Sequence, residues 1–150
     1  MLVIRQKQLD SFLMGDEDKF VRFVIEHIQE NHPHRVSECP ENLLEQMVRF
    51  GLERARSYGF ERAEDLTAFV AVMFKIAPNF EEQPKIKESL EDDKIPTNDK
   101  FEWLWNRTTD EDWEEAKKDC KVELWFTEET QQIKEFIPKL RQNYANENGG

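Results

Sequence analysis

Apolar side chains recur at three- and four-residue steps on both sides of Gly59, and no other feature constrains the fold of this 150-residue chain as strongly. Before this glycine the spacing predicts a helix of about five turns that ends in a left-handed residue at Gly59. After it the spacing predicts a helix that is apolar around much of its circumference and stops at Pro78. A helix of that kind belongs at the centre of a bundle. The apolar positions are Leu43, Leu44, Met47, Val48, Leu52 and Ala55, then Leu66, Phe69, Val70, Met73, Phe74 and Ala77.

An earlier amphipathic pattern runs over residues 8–31, where Gly15 is a candidate break and Pro33 ends the helix. Together with the two helices around Gly59, it predicts a three-helix core over residues 1–77. We expect the core to include Phe20, Val24, Met47, Leu52, Phe69, Val70, Met73 and Phe74.

Residues 78–99 are predicted to be a connecting region because three prolines and an acidic run leave room only for a short helix near residues 86–90. Residues 100–145 are predicted to be an acidic helical extension, and residues 146–150 a flexible tail. The expected helix caps of the extension are Thr97 or Asn98, then Thr109 in a capping box with Asp112, then Thr127.

Two further details concern the extension. The alternation of residues 122–126 leaves open one short strand, and Pro138 is expected to kink the last helix or shift its start. The sequence therefore predicts a single all-α domain of 150 residues, an irregular helix bundle with a helical, Trp-rich C-terminal extension.

Charge narrows the classes of partner. The chain carries 32 acidic and 21 basic residues, a formal net charge of −11. Residues 76–150 hold 19 acidic and 11 basic groups, net −8, against −3 for residues 1–75. Such a charge repels nucleic acids and anionic lipid surfaces. The expected partner is instead another protein with a basic surface.

The two cysteines, Cys39 and Cys120, lie far apart and outside any C-x-x-C spacing, which is typical of free thiols in a reducing compartment. The N-terminal apolar run of Leu2, Val3 and Ile4 is too short for the core of a signal peptide, and no segment approaches the length of a membrane span. These observations predict a cytoplasmic protein.

One cluster has residue types that bind zinc, since zinc selects imidazole and thiolate ligands. His27 and His32 are five residues apart, however, and therefore lie on different helical faces, while Cys39 lacks a second thiol nearby. We expect neither a metal nor a cofactor. The cluster comprises Glu26, His27, Glu30, His32, His34 and Cys39.

The chain contains no G-x-S-x-G, no Gly-rich phosphate loop and no H-E-x-x-H. The sequence therefore predicts no catalytic residue and a protein that is not an enzyme.

Near the turn at Gly59, Arg54 is expected to pair with Glu61 or Asp65 and hold two helices in register rather than bind a ligand.

All four tryptophans fall within 23 residues, beside a run of acidic residues. Dense aromatic residues are typical of buried interface anchors, but equally of a small core. Acidic residues in a first helical turn can attract a basic partner, and they also stabilise the helix dipole. On the interface hypothesis, the partner-binding residues are Trp103, Trp105, Asp110, Glu111, Trp113, Glu114 and Trp125.

A set of short motifs adds a context. The most specific part is an R-A-x-x-Y-G turn, followed fourteen residues later by M-F and then by P-x-F. The motif residues are Gln8, Leu9, Phe12, Phe20, His27, Pro33, Gly51, Leu52, Glu53, Arg54, Ala55, Tyr58, Gly59, Phe60, Met73, Phe74, Pro78, Asn79, Phe80 and Pro84. Over residues 5–104 the chain resembles a family of small helical proteins encoded beside spike and effector genes of bacterial type VI secretion.

The resemblance implies a non-catalytic adaptor or chaperone that binds a secretion effector. An immunity protein that neutralises a toxin is the alternative, and a small hydrolase or toxin is a third reading. The resemblance implies no catalytic residue. Partner specificity is expected beyond about residue 107, where the resemblance ends.

Overall fold

A computed structural model describes residues 15–146 of the chain. Within these residues the structure contains seven α-helices, three short 3₁₀ turns and no strand, which confirms the all-α prediction. The helices are α1 (Glu17–Asn31), α2 (Glu41–Ser57), α3 (Ala63–Lys75), α4 (Pro84–Glu91), α5 (Lys100–Arg107), α6 (Asp110–Lys118) and α7 (Gln131–Ala145). The 3₁₀ turns are Phe80–Glu82, Thr97–Asp99 and Val122–Trp125.

Helices α1, α2 and α3 pack on one another, with α3 against both of the others. All eight residues predicted for the core are at most 1% exposed, so that prediction is confirmed. Helix α2 packs tightly on α3 at Gly51, where a Cβ atom would lie only 3.0 Å from Val70 Cγ2. The absence of a side chain at this position therefore leaves room for Val70.

The predicted helix ends agree with the structure on either side of the turn. Helix α2 ends at Ser57, and Gly59 has a φ of +93°, the left-handed conformation expected of a helix terminator. Helix α3 ends at Lys75, three residues before Pro78. At the N-terminus, the Asp16 side chain caps α1 by accepting from the backbone N–H groups of residues 18 and 19.

The region over residues 78–99 is more than a connection. It contains the expected short helix, α4, whose first residue is Pro84 and whose cap is the Gln83 side chain. Phe80 and Ile86 are fully buried in the same hydrophobic cluster that includes α1–α3. This segment therefore forms the floor on which the later helices pack.

The possible strand over residues 122–126 was wrong, because Val122–Trp125 is a 3₁₀ turn. In a 3₁₀ turn residues three apart lie on the same side, so Val122 and Trp125 are both buried. The segment is too short for its sequence to distinguish the three-residue period of this turn from the two-residue period of a strand, because only Val122 and Trp125 are buried.

The helix caps of the extension were predicted with mixed success. Thr109 and Asp112 form the expected capping box at the start of α6. The last helix, however, is capped by Thr130 rather than Thr127, because only Thr130 lies three residues before the Ile133 amide. Helix α5 continues directly from the turn Thr97–Asp99, so no Thr97 or Asn98 side chain caps it. Pro138 lies inside α7.

The expected partner of Arg54 was also wrong. Its guanidinium pairs with Glu81 on the turn after α3, whereas Asp65 accepts a 2.8 Å hydrogen bond from Arg62 Nε. The chain folds back after α3 and brings Glu81 under the last turn of α2. Sequence proximity therefore gave the wrong carboxylate.

Some predictions fall on residues that the structure does not describe. These are the start of the N-terminal helical pattern, residues 8–14, and the end of the predicted tail, residues 147–150. Within residues 15–146, every helix is too short or too polar to cross a lipid bilayer.

Candidate functional site

Helix α5 has an apolar face toward the core and a second apolar feature toward solvent. Phe101 and Leu104 are buried, as the three-residue spacing of an amphipathic helix requires. Trp103 and Trp105 lie on the remaining surface and are 45% and 52% exposed. They are the large hydrophobic side chains that stand exposed among the described residues.

Trp113 on α6 is partly buried and firmly held. Its indole N–H donates a 3.0 Å hydrogen bond to Thr108 Oγ1, and the Thr108 hydroxyl donates in turn to the Leu104 carbonyl at 2.7 Å. Its ring stacks on Phe80 and lies 5.2 Å from the ring of Trp105. Trp113 is therefore held in place beside the exposed indole of Trp105.

Trp103 has a different environment. The Arg107 guanidinium lies 5.0 Å from the centre of its ring, within the range of a cation–π contact. Arg107 also forms a 3.3 Å ion pair with Asp92. One face of the exposed indole is therefore already adapted to a guanidinium group.

Some carboxylates of the acidic run at the start of α6 have partners within the chain, and others have none among the described residues. Asp112 completes the capping box, and Glu114 pairs with Lys117 at 3.2 Å. Asp110 and Glu111 are exposed and form no ion pair within residues 15–146. These two carboxylates are therefore free to attract a cationic group.

A groove of about 480 Å³ lies between the C-terminal end of α3, the end of α5 and the first turns of α6. Val72 and Ile76 form its apolar floor, and Trp105 and Trp113 stand beside them. The remaining lining residues are polar or charged: Lys75, Thr108, Thr109, Asp110, Glu114 and Lys117.

The structure thus brings four of the predicted partner-binding residues together around one groove: Trp105, Asp110, Trp113 and Glu114. Trp103 lies on the same helix but outside the groove lining, and Glu111 lies next to Asp110 on α6.

Trp125 does not belong to this surface, so its assignment to partner binding was wrong. It is 1% exposed, and its ring lies 4.5 Å from that of Phe74 in the core. Its indole N–H donates to the Tyr144 hydroxyl at 3.1 Å. The dense tryptophan cluster of the sequence therefore contains both of the alternatives, an exposed surface and a part of the core.

Sequence reasoning missed the floor of the groove. Val72 on the central helix α3 and Ile76, the residue that follows its last turn, retain 8% and 7% exposure. The signal was the nearly complete apolar circumference of α3, because neighbouring helices cover only part of such a helix.

The His and Cys residues of the N-terminal region lie around the end of α1. Burial, with smaller contributions from neighbouring cationic groups, lowers the pKa of His32 to about 4. Burial also raises the pKa of the Cys39 thiol to about 12, which keeps it protonated rather than a thiolate. Within residues 15–146, no group of three or more His, Cys, Asp or Glu side chains is arranged to hold a metal ion.

Comparisons of the chain with protein-family models, with curated proteins and with solved structures gave no match. The resemblance to the type VI secretion-associated family therefore depends on the motif residues alone.

Proposed function

We propose that this chain is a non-catalytic accessory protein that binds another protein through its aromatic–acidic surface, defined as Trp103, Trp105, Trp113, Asp110 and Glu111. The observation that carries the proposal is the exposure of Trp103 and Trp105 on a helix whose opposite face already fills the core. These two indoles bury only about half of their surface in the fold, and we therefore assign the rest to contact with a partner.

Tryptophan is well suited to that role. Each indole has about 150–250 Å² to bury, and tryptophan is among the residues enriched at energetic hot spots of interfaces. Neither the Trp103 nor the Trp105 indole N–H donates a hydrogen bond within the described residues, so each also offers a polar contact to a partner.

The charge near these indoles selects the chemistry of the partner. Residues 99–119 contain eight acidic and four basic groups, a net charge of −4, in a chain of net charge −11. Such a surface attracts a basic partner and speeds its association at low salt. We therefore expect capture of the partner to weaken as the salt concentration rises.

The resemblance over residues 5–104 supplies the biological context of the proposal. We place the chain in the bacterial cytoplasm as an adaptor or chaperone that holds a type VI secretion effector or presents it to the spike. An immunity protein is the second candidate, because a net charge of −11 favours binding to the basic active-site cleft of a toxin.

The test is affinity capture of the tagged full-length chain from the bacterium that encodes it, followed by mass spectrometry. Capture by the wild type is compared with capture by the double variant Trp103→Ser/Trp105→Ser. The control is a second double variant, Gln29→Ser/Glu30→Ser, on the exposed side of α1. A partner that the control retains and the tryptophan variant loses supports the proposed surface.

The identity of the captured protein separates the candidates. An effector recovered together with its spike supports the adaptor, whereas a single toxin that loses activity on binding supports the immunity protein. Equal capture by the tryptophan variant and by wild type would contradict the proposed surface.

A further inference from the structure

We propose that the groove between α3, α5 and α6 binds a short segment of the partner in which one large apolar side chain adjoins a basic residue. The apolar side chain packs over Val72 and Ile76, beside the Trp105 and Trp113 rings, and the basic residue lies beside Asp110. This inference depends on the proposed function and assigns the groove as the place where the partner is recognised.

The size and floor of the groove fit a bulky side chain. Its volume of about 480 Å³ falls within the range of about 300–1,000 Å³ typical of small-ligand sites. Val72 and Ile76 are apolar, and they keep a small exposed area only because nothing of this chain within residues 15–146 covers them. A large apolar side chain from outside would bury that area together with the exposed surface of Trp105 that lines the groove.

The uncharged polar side chains that line the groove already have hydrogen-bond partners within the chain. The Trp113 N–H is bonded to the Thr108 hydroxyl, and that hydroxyl donates to the Leu104 carbonyl. The Thr109 side chain accepts from the Asp112 amide in the capping box. Since these groups have their partners, the interior recognises shape and apolar surface rather than a specific pattern of hydrogen bonds.

The charged residues at the rim of the groove determine which way the bound segment is oriented. Glu114 and Lys117 neutralise each other in a 3.2 Å ion pair. Asp110 on the α6 bank and Lys75 on the α3 bank have no ion-pair partner within the described residues. A cation is therefore attracted to Asp110 on the α6 side of the groove and repelled by Lys75 on the α3 side. We accordingly place the basic residue beside Asp110.

The test uses synthetic peptides as probes of the ¹⁵N-labelled full-length chain. Each is acetylated and amidated and reads Ser-X-Arg-Lys-Ser, where X is leucine, phenylalanine or tryptophan. One control peptide replaces X by serine, and another replaces Arg-Lys by Glu-Glu. The chain has four tryptophans, so its four indole N–H signals, each assigned with a Trp→Phe variant, report the position of the peptide.

We expect the apolar and basic peptides to shift the Trp105 and Trp113 signals in a saturable way, while the buried Trp125 signal stays unchanged. Trp105→Ala should weaken binding about tenfold or more, as expected of an interface anchor. Asp110→Lys should weaken it roughly 2- to 5-fold, and Lys75→Glu should strengthen it by a similar factor, the range of a surface ion pair. Glu26→Lys is the control, since it adds the same charge as Asp110→Lys on α1, outside the groove lining.

Each remaining result overturns the proposal. Absence of shifts at Trp105 and Trp113 with all three peptides would reject the groove as a binding site. Equal binding of the serine or glutamate control peptides would reject the stated chemistry, and so would equal effects of Asp110→Lys and Glu26→Lys.

Failure of the groove can be told apart from failure of the proposed function. If partner capture still depends on Trp103 and Trp105 but no peptide binds, the groove proposal fails and the proposed function remains. If capture is independent of both tryptophans, the proposed function fails, whatever the peptides do.

Discussion

The three-helix core and the α5–α6 region use the same kind of side chain for different purposes. In α1–α3 the large aromatic residues Phe20, Phe69 and Phe74 are fully buried, and packing accounts for their presence. In α5, Trp103 and Trp105 are about half exposed, although the helix already has a buried face. Under the proposed function, stability and recognition would depend on separate parts of the chain.

Two tryptophans show the contrast most directly. Trp125 has its ring against Phe74 and its N–H bonded to Tyr144, so the fold uses every part of it. Trp105 contacts the Phe101 and Trp113 rings with one side and leaves the other to solvent. Substitution of each by alanine should therefore affect different measurements.

The largest effect is expected for Trp125→Ala. Loss of a fully buried tryptophan leaves a cavity and should lower the free energy of unfolding by about 4 kcal/mol. The Tyr144 hydroxyl, which donates to the Met73 carbonyl at 2.7 Å, would also lose its indole donor. Urea unfolding followed by circular dichroism measures the loss. A decrease below about 1 kcal/mol would show that the surrounding side chains collapse into the space.

The next effect is expected for Arg54→Met, because it leaves the Glu81 carboxylate buried without its cation. Glu81 is 1% exposed, and its second carboxylate oxygen has no hydrogen-bond partner among the described residues. Removing one partner of a buried ion pair costs about 3 kcal/mol. Urea unfolding at pH 7 checks this value, and a change within 0.5 kcal/mol would mean that solvent reaches Glu81.

This pair also predicts a dependence on pH. Burial raises the pKa of Glu81 above its ordinary value of 4.5, more than Arg54 lowers it. The contribution of this group to stability is therefore complete below pH 4.5 and is lost as the pH rises through the pKa of the folded state. Arg54→Met removes a cause that lowers the pKa of Glu81, so the loss of stability as the pH rises above 4.5 should grow.

Glu81→Gln provides the control for that dependence. The net charge of −11 also destabilises the folded protein as the pH rises, and glutamine leaves that general effect nearly unchanged. The difference in stability between wild type and Glu81→Gln should therefore isolate the single carboxyl group. Identical pH profiles for the two proteins would contradict the assignment.

A smaller effect is expected at the start of α6, where Thr109 forms the capping box beside the acidic residues of the surface. Thr109→Ala should lower the free energy of unfolding by about 1 kcal/mol. Thr130→Ala should cost a similar amount, because Thr130 caps α7. Thr127→Ala is the matched control, an exposed threonine that caps no helix and should change stability by less than about 0.5 kcal/mol. Equal effects at Thr127 and Thr130 would contradict the observed start of α7.

The three threonines also show where sequence reasoning succeeds. The Thr109 cap was predictable because threonine and its acidic partner lie three residues apart, within one turn. The α1–α3 core was predictable for a similar reason, since each helix repeats its buried positions over several turns. The cap of α7 was placed three residues too early, because two threonines lie close together and only the backbone decides between them.

The remainder depended on contacts between distant parts of the chain. The carboxylate that pairs with Arg54 is 27 residues away, and the run around Glu81 has a polar sequence that gives no sign of burial. The groove likewise combines Val72 and Ile76 with Trp105 and Trp113 from later helices. Local pattern identified the aromatic residues, but only the tertiary packing separates the exposed Trp105 from the buried Trp125.

The smallest effect on stability is expected for Trp105→Ala, and it tests the separation of stability from recognition. Trp105 is 52% exposed, so its loss removes contacts with Phe101 and Trp113 but opens no cavity. The free energy of unfolding should fall by less than about 1 kcal/mol. Trp125→Ala, by contrast, should lower the free energy of unfolding, while the molecules of this variant that are folded should still bind the proposed partner. If Trp105→Ala instead cost as much stability as Trp125→Ala, the exposed indole would belong to the fold, and the reason for assigning it to a partner would disappear.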